Sequence, residues 1–199
     1  MRARWVLATH NRGKAAEFRR LLAPLPVTLD LHYVGDREVV EETGKSYLEN
    51  ARLKAVHAAR AAGMPALADD SGLEVDALAG RPGLHSAHYV SPDGWENLRT
   101  VLLETLGVPH AERTCRMRAV VVLALPDGST IHAEGVVDGH LATYPRGRHG
   151  FGYDPAFLLE DGRTMAELEP AEKEARSHRG RATRALLALV EAEADRFLT

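Results

Sequence analysis

The sequence predicts an α/β fold built on a mixed β-sheet, and three observations carry that prediction. Short apolar segments with strand character alternate with segments whose apolar residues recur at helical spacing. A Pro-Asp-Gly turn at 126–128 separates two strand-like runs, 113–125 and 129–137, and so predicts an antiparallel hairpin. The clearest helix is expected over about 46–62, where Gly63 ends it. Alternating strands and helices with one hairpin are typical of a mixed sheet.

The other elements follow from the same periodicities. We expect strands at 5–8, 27–33, 66–68 and about 156–159, loops at 80–89 and 138–154, and helices at about 14–22, at 92–106 and in two pieces around 177–180. Ser91 is expected to cap the helix that begins at Pro92. The strand at 66–68 is expected to end at the aspartates 69 and 70, because the Ser-Gly pair that follows them favours a turn.

Composition limits the class of protein. A chain of 199 residues fits one domain with two lobes, and 45% hydrophobic and 27% charged residues are typical of a soluble globular protein. The net charge of -3 excludes a global field for nucleic acid or membranes. Cys115 is the only cysteine, which excludes an intrachain disulfide. Without a secretory or membrane-spanning apolar run, we expect a cytoplasmic protein.

Basic residues are unevenly distributed between the two types. Of 25 basic residues only four are lysines, at 14, 45, 54 and 173, while Asn occurs three times and Gln is absent. Such a bias suits a heat-adapted protein or a GC-rich genome. Because lysine is scarce, each one is a candidate for a specific role.

The segment Thr9–Lys14 lies between the first predicted strand and the first predicted helix. A strand-to-helix turn presents backbone N–H groups and the positive end of the helix dipole, which attract anions. Thr9 and Asn11 add side-chain hydrogen bonds, and Lys14 adds a full charge. Two interpretations stay open, a phosphate-binding turn and a helix cap with an incidental basic residue.

Asp69 and Asp70 are adjacent carboxylates, which are costly without a cation because like charges repel at short range. Mg²⁺ favours one or two carboxylates with waters and phosphate oxygens. The pair therefore predicts a magnesium centre, with a surface turn as the alternative. Glu41 and Glu42 offer a further carboxylate, although acids near a helix N-terminus are also stabilised by its dipole.

Two later segments add an aromatic group and a second basic cluster. Phe151 lies between two glycines, where its ring offers a face on which a base stacks. Lys173 and the run Ser177–Gly180 cross a predicted helix break and supply cations, with a solvated basic surface as the alternative. Phosphate anchors, a metal centre, an aromatic face and cations together suit hydrolysis of a phosphoanhydride.

These segments, in this order, resemble the inosine/xanthosine triphosphate pyrophosphatase family. The matching runs are Thr9–Lys14, Glu41–Asn50, Ala68–Gly72, Gly150–Pro155, and Lys173 with Ser177–Gly180. The resemblance implies an elongated two-lobed α/β fold with a central mixed sheet, flanking helices and a cleft between the lobes, usually dimeric. It implies Mg²⁺-dependent hydrolysis of ITP, dITP or XTP to the monophosphate and pyrophosphate, which removes non-standard nucleotides from the pool.

The resemblance also implies roles for individual residues. Asp70 is expected to be the general base and a magnesium ligand, with Ser71 contacting substrate. Glu41 is expected to be the second metal ligand, with Glu42 and Glu38 as alternatives, and Asp69 receives no role. The residues expected to bind the nucleotide are Thr9, His10, Asn11, Arg12, Gly13 and Lys14 for the triphosphate, Phe151, Gly152, Tyr153 and Asp154 for the base and ribose, and Lys173, His178 and Arg179 to complete the pocket. Many members carry a small residue where this chain has His10.

In the expected mechanism, Lys14, Lys173 and Mg²⁺ neutralise the triphosphate while Asp70 deprotonates a water molecule. We expect a homodimer. We expect its ligand to be a purine nucleoside triphosphate rather than nucleic acid or a membrane. Two other hypotheses stay open: a nucleotide pyrophosphatase with pyrimidine or modified substrates, and a non-catalytic nucleotide sensor or nucleic-acid-binding module. The absence of a basic, aromatic-rich stripe weighs against the last.

Overall fold

The structure, a computed structural model, describes residues 3–30 and 40–198. They contain six strands and six α-helices, which alternate as far as residue 124; two further strands and then three helices follow. The strands are β1 (Ala3–Leu7), β2 (Val27–Asp30), β3 (Ala66–Val75), β4 (Thr114–Ala124), β5 (Thr130–Leu141) and β6 (Phe157–Leu158). The helices are α1 (Arg12–Leu21), α2 (Tyr47–Ala62), α3 (Gly94–Glu104), α4 (Pro170–Arg176), α5 (His178–Ala192) and α6 (Ala194–Phe197).

The six strands form one sheet in the order β2-β1-β3-β4-β5-β6. β1 is parallel to both β2 and β3, whereas β5 and β6 are antiparallel. The predicted α/β class with a mixed sheet and flanking helices is therefore confirmed. The last three residues of the strand predicted at 27–33 lie outside the described residues.

The chain divides into two compact units. The first comprises the described parts of Met1–Asp70, Ala119–Gly135 and Arg181–Thr199, and the second comprises Ser71–Arg118 and Val136–Gly180. Each unit has its own apolar core. In the first, Trp5 and Phe18 are fully buried, and the indole N–H of Trp5 donates to the carbonyl of Phe197 at 2.8 Å. In the second, Phe157 and Met165 are fully buried.

α2 begins and ends where the sequence predicts. The Ser46 hydroxyl accepts a hydrogen bond from the Glu49 N–H at 3.2 Å, which satisfies a donor that the first helical turn leaves unpaired. Gly63 follows the helix with a φ of 65°, a left-handed conformation that favours glycine. These two caps set the ends of the helix that carries Asn50 and Lys54.

Several predicted boundaries are wrong. β5 continues to Leu141, beyond the strand predicted at 129–137 and into the loop predicted at 138–154, because Leu141 is buried in the second core. β3 does not end before the aspartates but continues to Val75, because full burial of Leu73 and Val75 in the second core outweighs the turn preference of Asp, Ser and Gly. α3 is capped by Asp93 rather than Ser91. The Asp93 carboxylate accepts from the Trp95 N–H at 2.7 Å, whereas the Ser91 N–H donates to the Asn97 side chain at 3.1 Å.

Candidate active site

Asp70 is the last residue of the first unit and lies inside β3, with its side chain only 8% exposed. The Asn50 amide donates to its Oδ2 at 3.2 Å, and the Lys54 Nζ lies 3.6 Å from its Oδ1. The pKa of the Asp70 carboxyl is raised, chiefly because burial penalises its charged form, although Lys54 and Lys14 oppose the rise. A buried carboxyl with a raised pKa is suited to accept a proton.

Asp69 has a different principal partner from Asp70. The two carboxylates still interact, because the charges of Asp69 and of Lys14 both act on the pKa of Asp70. The Lys14 Nζ lies 3.0 Å from the Asp69 Oδ2, and the Asp69 side chain is buried. Asp69 therefore holds the lysine of the Thr9–Lys14 segment, a role that the sequence did not indicate.

Lys54 connects Asp70 with the acidic segment before α2. Its Nζ lies 2.8 Å from the Glu42 Oε1, so one ammonium group contacts two carboxylates. Burial alone lowers the pKa of Lys54, but the surrounding carboxylates, with Asp70 foremost, outweigh burial and raise it. The lysine is therefore charged. We name Asp69, Asp70, Glu42, Lys14 and Lys54 the carboxylate cluster.

Asp154 organises the candidate base-binding segment in the second unit. Its Oδ2 accepts from the Phe151 N–H at 2.7 Å and from the Lys173 Nζ at 2.6 Å. The Asp154 and Lys173 side chains are each 4% exposed, so this is a buried ion pair. A Cβ on Gly150 would lie 2.2 Å from the Asp154 Oδ2, which explains the glycine before Phe151.

Two cations lie beside the Phe151 ring. The Lys173 Nζ is 4.9 Å from the ring centroid, and the Arg179 guanidinium carbon is 5.5 Å from it, both within cation–π range. Arg179 also donates to the Ser71 hydroxyl at 2.9 Å. We name Phe151, Asp154, Lys173 and Arg179 the aromatic cluster.

The sequence model of the Ham1 family matches residues 5–189. The chain belongs to the Ham1 family. It is 43% identical to the dITP/XTP pyrophosphatase of Bacillus subtilis, over 94% of this chain and 96% of that protein. It is 48% identical to a protein of the same name from Thermus thermophilus, over 92% and 89% of the two chains. A Ham1 protein structure from Coxiella burnetii matches with a TM-score of 0.84 at 37% identity, covering 96% of this chain and 99% of that one.

The Ham1 chain offers Mg²⁺ a small donor set. Within residues 3–30 and 40–198, no group of three or more His, Cys, Asp or Glu side chains is arranged to hold a metal ion. Asp70 and Glu42 supply two carboxylates around one lysine, and one or two are what Mg²⁺ uses when waters and phosphate oxygens complete its shell. The chemistry of these residues therefore fits the ion. Glu41 is exposed, and Glu38 lies outside the described residues.

In the segment Thr9–Lys14, Asn11 caps α1 as the helix-cap interpretation expects, but Lys14 is not incidental because it pairs with Asp69. The Asn11 side chain accepts from the Lys14 N–H at 3.0 Å, and the Thr9 hydroxyl accepts from the Asn11 N–H at 3.2 Å. His10 and Arg12 are exposed, and Gly13 is half-buried. The phosphate-binding role of this Ham1 turn stays a prediction.

The other predicted residues lie in the second unit. The Tyr153 hydroxyl donates to the Ser86 carbonyl at 2.9 Å, and the side chain is buried rather than open to a ligand. Gly152 is exposed, with a φ of 58°. His178 is buried at the start of α5, directly after the predicted helix break.

Asn50 and Lys54 belong to the site although no sequence motif assigns them a role. They lie four residues apart on α2 and therefore on one face of the helix. The scarcity of lysine made Lys54 a candidate, but its partners are 12 and 16 residues away, and no local motif joins them. Among the described residues, no helix combines the length and hydrophobicity needed to cross a membrane.

Proposed function

We propose that this chain hydrolyses ITP, dITP and XTP to the nucleoside monophosphate and pyrophosphate in a Mg²⁺-dependent reaction. The observation that carries the proposal is the carboxylate cluster, in which a buried Asp70 with a raised pKa lies beside Lys54 and the adjacent Asp69 lies beside Lys14. The names of the relatives from Bacillus subtilis and Thermus thermophilus support the substrate class.

Asp70 is the proposed general base. A water oxygen attacks the α-phosphorus, and the water proton passes to an Asp70 oxygen. The bond breaks between the α-phosphorus and the oxygen that bridges it to the β-phosphorus. Pyrophosphate departs with the bridging oxygen. When bound at Asp70 with Glu41 or Glu42, Mg²⁺ supplies charge neutralisation of the triphosphate.

Lys14 and Lys54 are the proposed phosphate contacts. Both ammonium groups already pair with carboxylates. When the triphosphate binds with its cation, the phosphates replace the carboxylates beside the lysines and the cation replaces the lysines beside the carboxylates. The capped turn Thr9–Lys14 adds backbone N–H groups at the start of α1. The buried pairing of Lys173 with Asp154 favours a role for Lys173 in the base pocket rather than in neutralising the triphosphate.

The aromatic cluster is the proposed base pocket, together with Ser71 and His178. Hypoxanthine and xanthine present an oxygen acceptor at C6, where adenine presents an amino donor. The side chains of Lys173 and Arg179 carry only hydrogen-bond donors. These donors can bond to the C6 oxygen of hypoxanthine or xanthine, but not to the amino group of adenine. Pockets built on such hydrogen bonds reject the wrong analogue by about 10⁴-fold or more.

Pyrophosphate release from ITP, ATP and GTP, each with and without Mg²⁺, tests the proposal. We expect turnover of ITP with Mg²⁺ and little turnover of ATP. Equal turnover of ATP and ITP would refute the base pocket, and absence of pyrophosphate from every substrate would refute the activity. We also propose the homodimer, for which light scattering must give twice the mass of the chain.

A further inference from the structure

Asn50 makes two hydrogen bonds of opposite sense from a buried position on α2. Its side-chain oxygen accepts from the Gly44 N–H at 2.8 Å, and its amide nitrogen donates to the Asp70 Oδ2 at 3.2 Å. The residue is only 3% exposed. A flipped amide would set donor against donor at Gly44 and acceptor against acceptor at Asp70, so only this orientation satisfies both neighbours.

Gly44 approaches Asn50 too closely for any other residue. A Cβ at this position would lie 2.5 Å from the Asn50 Oδ1 and 2.7 Å from the Glu49 Cβ, distances that side chains do not tolerate. The close approach fastens the backbone of the acidic segment, which includes Glu42, to the first turn of α2. Asn50 therefore joins this segment to Asp70 through a single side chain.

Asn50 and Lys54 hold Asp70 in different ways. Lys54, one helical turn further along α2, contacts Asp70 and Glu42 with a positive charge that a divalent cation must compete with. The Asn50 amide is neutral, so it orients the Asp70 carboxylate without cancelling its charge. An orienting partner of this kind leaves the carboxylate able to bind a cation.

We propose that Asn50 is a positioning residue that sets Asp70 and the acidic segment around Glu42 as a divalent-cation site before the cation arrives. The proposal rests on the proposed Mg²⁺-dependent function. Loss of a hydrogen-bonding partner behind a metal ligand typically weakens metal affinity about 10- to 100-fold. The same loss of metal affinity is expected when a substitution at Gly44 disturbs its hydrogen bond to Asn50.

Binding of Mn²⁺ alone, without nucleotide, tests this proposal. The electron paramagnetic resonance signal of free Mn²⁺ gives the dissociation constant for the wild type, Asn50→Leu and Gly44→Ala. Leucine keeps the approximate size of asparagine but neither donates nor accepts. We expect both variants to raise the dissociation constant about 10- to 100-fold.

Asn97→Leu is the matched control. Asn97 is also a buried helical asparagine whose side chain both accepts, from the Val90 N–H at 2.9 Å, and donates, to the Ser91 carbonyl at 2.9 Å. Its loss is expected to lower the melting temperature and leave Mn²⁺ affinity unchanged. If Asn50→Leu does not fold, Gly44→Ala decides the question, because it substitutes neither Asn50 nor Asp70 and disturbs only the contact between Gly44 and Asn50.

Three results would overturn the proposal: wild-type affinity in a folded Asn50→Leu or Gly44→Ala variant, equal weakening by Asn97→Leu, or no Mn²⁺ binding by the wild type without nucleotide. Pyrophosphate release from ITP by the wild type is measured in parallel. A wild type that hydrolyses ITP while Asn50→Leu binds Mn²⁺ normally refutes only the positioning role. A wild type that binds Mn²⁺ but hydrolyses nothing refutes the proposed function instead.

Discussion

The carboxylate cluster and the aromatic cluster use the same kinds of charged side chain in opposite proportions. In the carboxylate cluster, three carboxylates lie against two ammonium groups. In the aromatic cluster, one carboxylate pairs with one of two cations, and both cations lie beside an aromatic ring. A surplus of negative charge favours a further cation, whereas a surplus of positive charge favours a ligand with hydrogen-bond acceptors.

The clusters also differ in how far their ion pairs are buried. Glu42 is 42% exposed, so its pairing with Lys54 is readily exchanged when another charged group arrives. Asp154 and Lys173 are both almost fully buried, so their pairing is fixed before any ligand binds. This difference favours a carboxylate cluster whose ion pairs rearrange when phosphate and metal bind, and an aromatic cluster that is already formed before a base binds.

The largest effect is expected from Asp70→Asn, which removes the proposed general base. Turnover of ITP should fall about 10²- to 10⁴-fold, measured as pyrophosphate release at saturating Mg²⁺. Near-normal turnover by a folded variant would remove Asp70 from the mechanism. Glu191→Gln, on an exposed position of α5, is the control and should retain full activity.

The same variant should be more stable than the wild type without metal. Because burial raises the pKa of Asp70, the folded state binds its proton more tightly than the unfolded state does. The ionised carboxylate therefore costs stability, and the cost grows as the pH rises through the raised pKa and then levels off. In EDTA, the melting temperature of Asp70→Asn relative to that of the wild type should increase as the pH rises above the ordinary aspartate pKa of about 4. A constant difference above that pH would contradict the burial argument.

Lys54→Met should separate metal binding from turnover. The change removes a cation that competes for Asp70 and Glu42, so Mn²⁺ should bind about tenfold more tightly at neutral pH. Turnover of ITP should nevertheless fall about 10²-fold, because a charge that stabilises the transition state is lost. Lys45→Met, an exposed lysine just before α2, should change neither quantity. Weaker Mn²⁺ binding by Lys54→Met would show that the lysine supports the site rather than competing in it.

Asp154→Asn should affect selectivity more than chemistry. It frees the Lys173 ammonium and weakens the hold on the Phe151 N–H, so the ratio of ITP to ATP turnover should fall about tenfold or more. Breaking a buried ion pair also costs about 3–5 kcal/mol of folding stability, so folding must be checked by circular dichroism. Asp161→Asn, which alters an exposed ion pair with Arg163, should leave the ratio unchanged.

The smallest effect is expected from Tyr153→Phe. The change removes one hydrogen bond to the Ser86 carbonyl and should lower the free energy of unfolding by about 1 kcal/mol in urea denaturation. Selectivity should be retained, because the buried tyrosine supports the pocket without presenting its hydroxyl to a ligand. A large loss of ITP selectivity would instead assign the hydroxyl to the base pocket.

The sequence predicts those elements whose signals are local. The caps of α2 at Ser46 and Gly63 and the break before His178 lie where the pattern indicates, because each depends on the residue's own backbone preference. The continuation of β3 through Asp69–Gly72 is not predictable in this way. It depends on Leu73 and Val75 entering a core whose other members are distant in the sequence.

The residues of the candidate site also divide into those with local sequence signals and those whose contacts are distant in the sequence. The runs around Asp70 and Phe151 are recognisable because their residues are adjacent, and the family match confirms the family that they indicate. The roles of the individual residues stay predictions. The contacts of Lys54 and Asn50 with Asp70 span 16 and 20 residues, so only the packing of α2 beside β3 reveals them. Lys14 similarly acquires its partner Asp69 only through the fold.

The central claim is that the carboxylate cluster performs the chemistry and the aromatic cluster selects the base. Initial rates of pyrophosphate release from ITP and ATP, compared among the wild type, Asp70→Asn and Asp154→Asn at one Mg²⁺ concentration, test it most directly. We predict that Asp70→Asn slows both substrates by the same factor, while Asp154→Asn slows ITP far more than ATP. An unchanged ITP-to-ATP ratio in Asp154→Asn, or a changed ratio in Asp70→Asn, would contradict this division of roles.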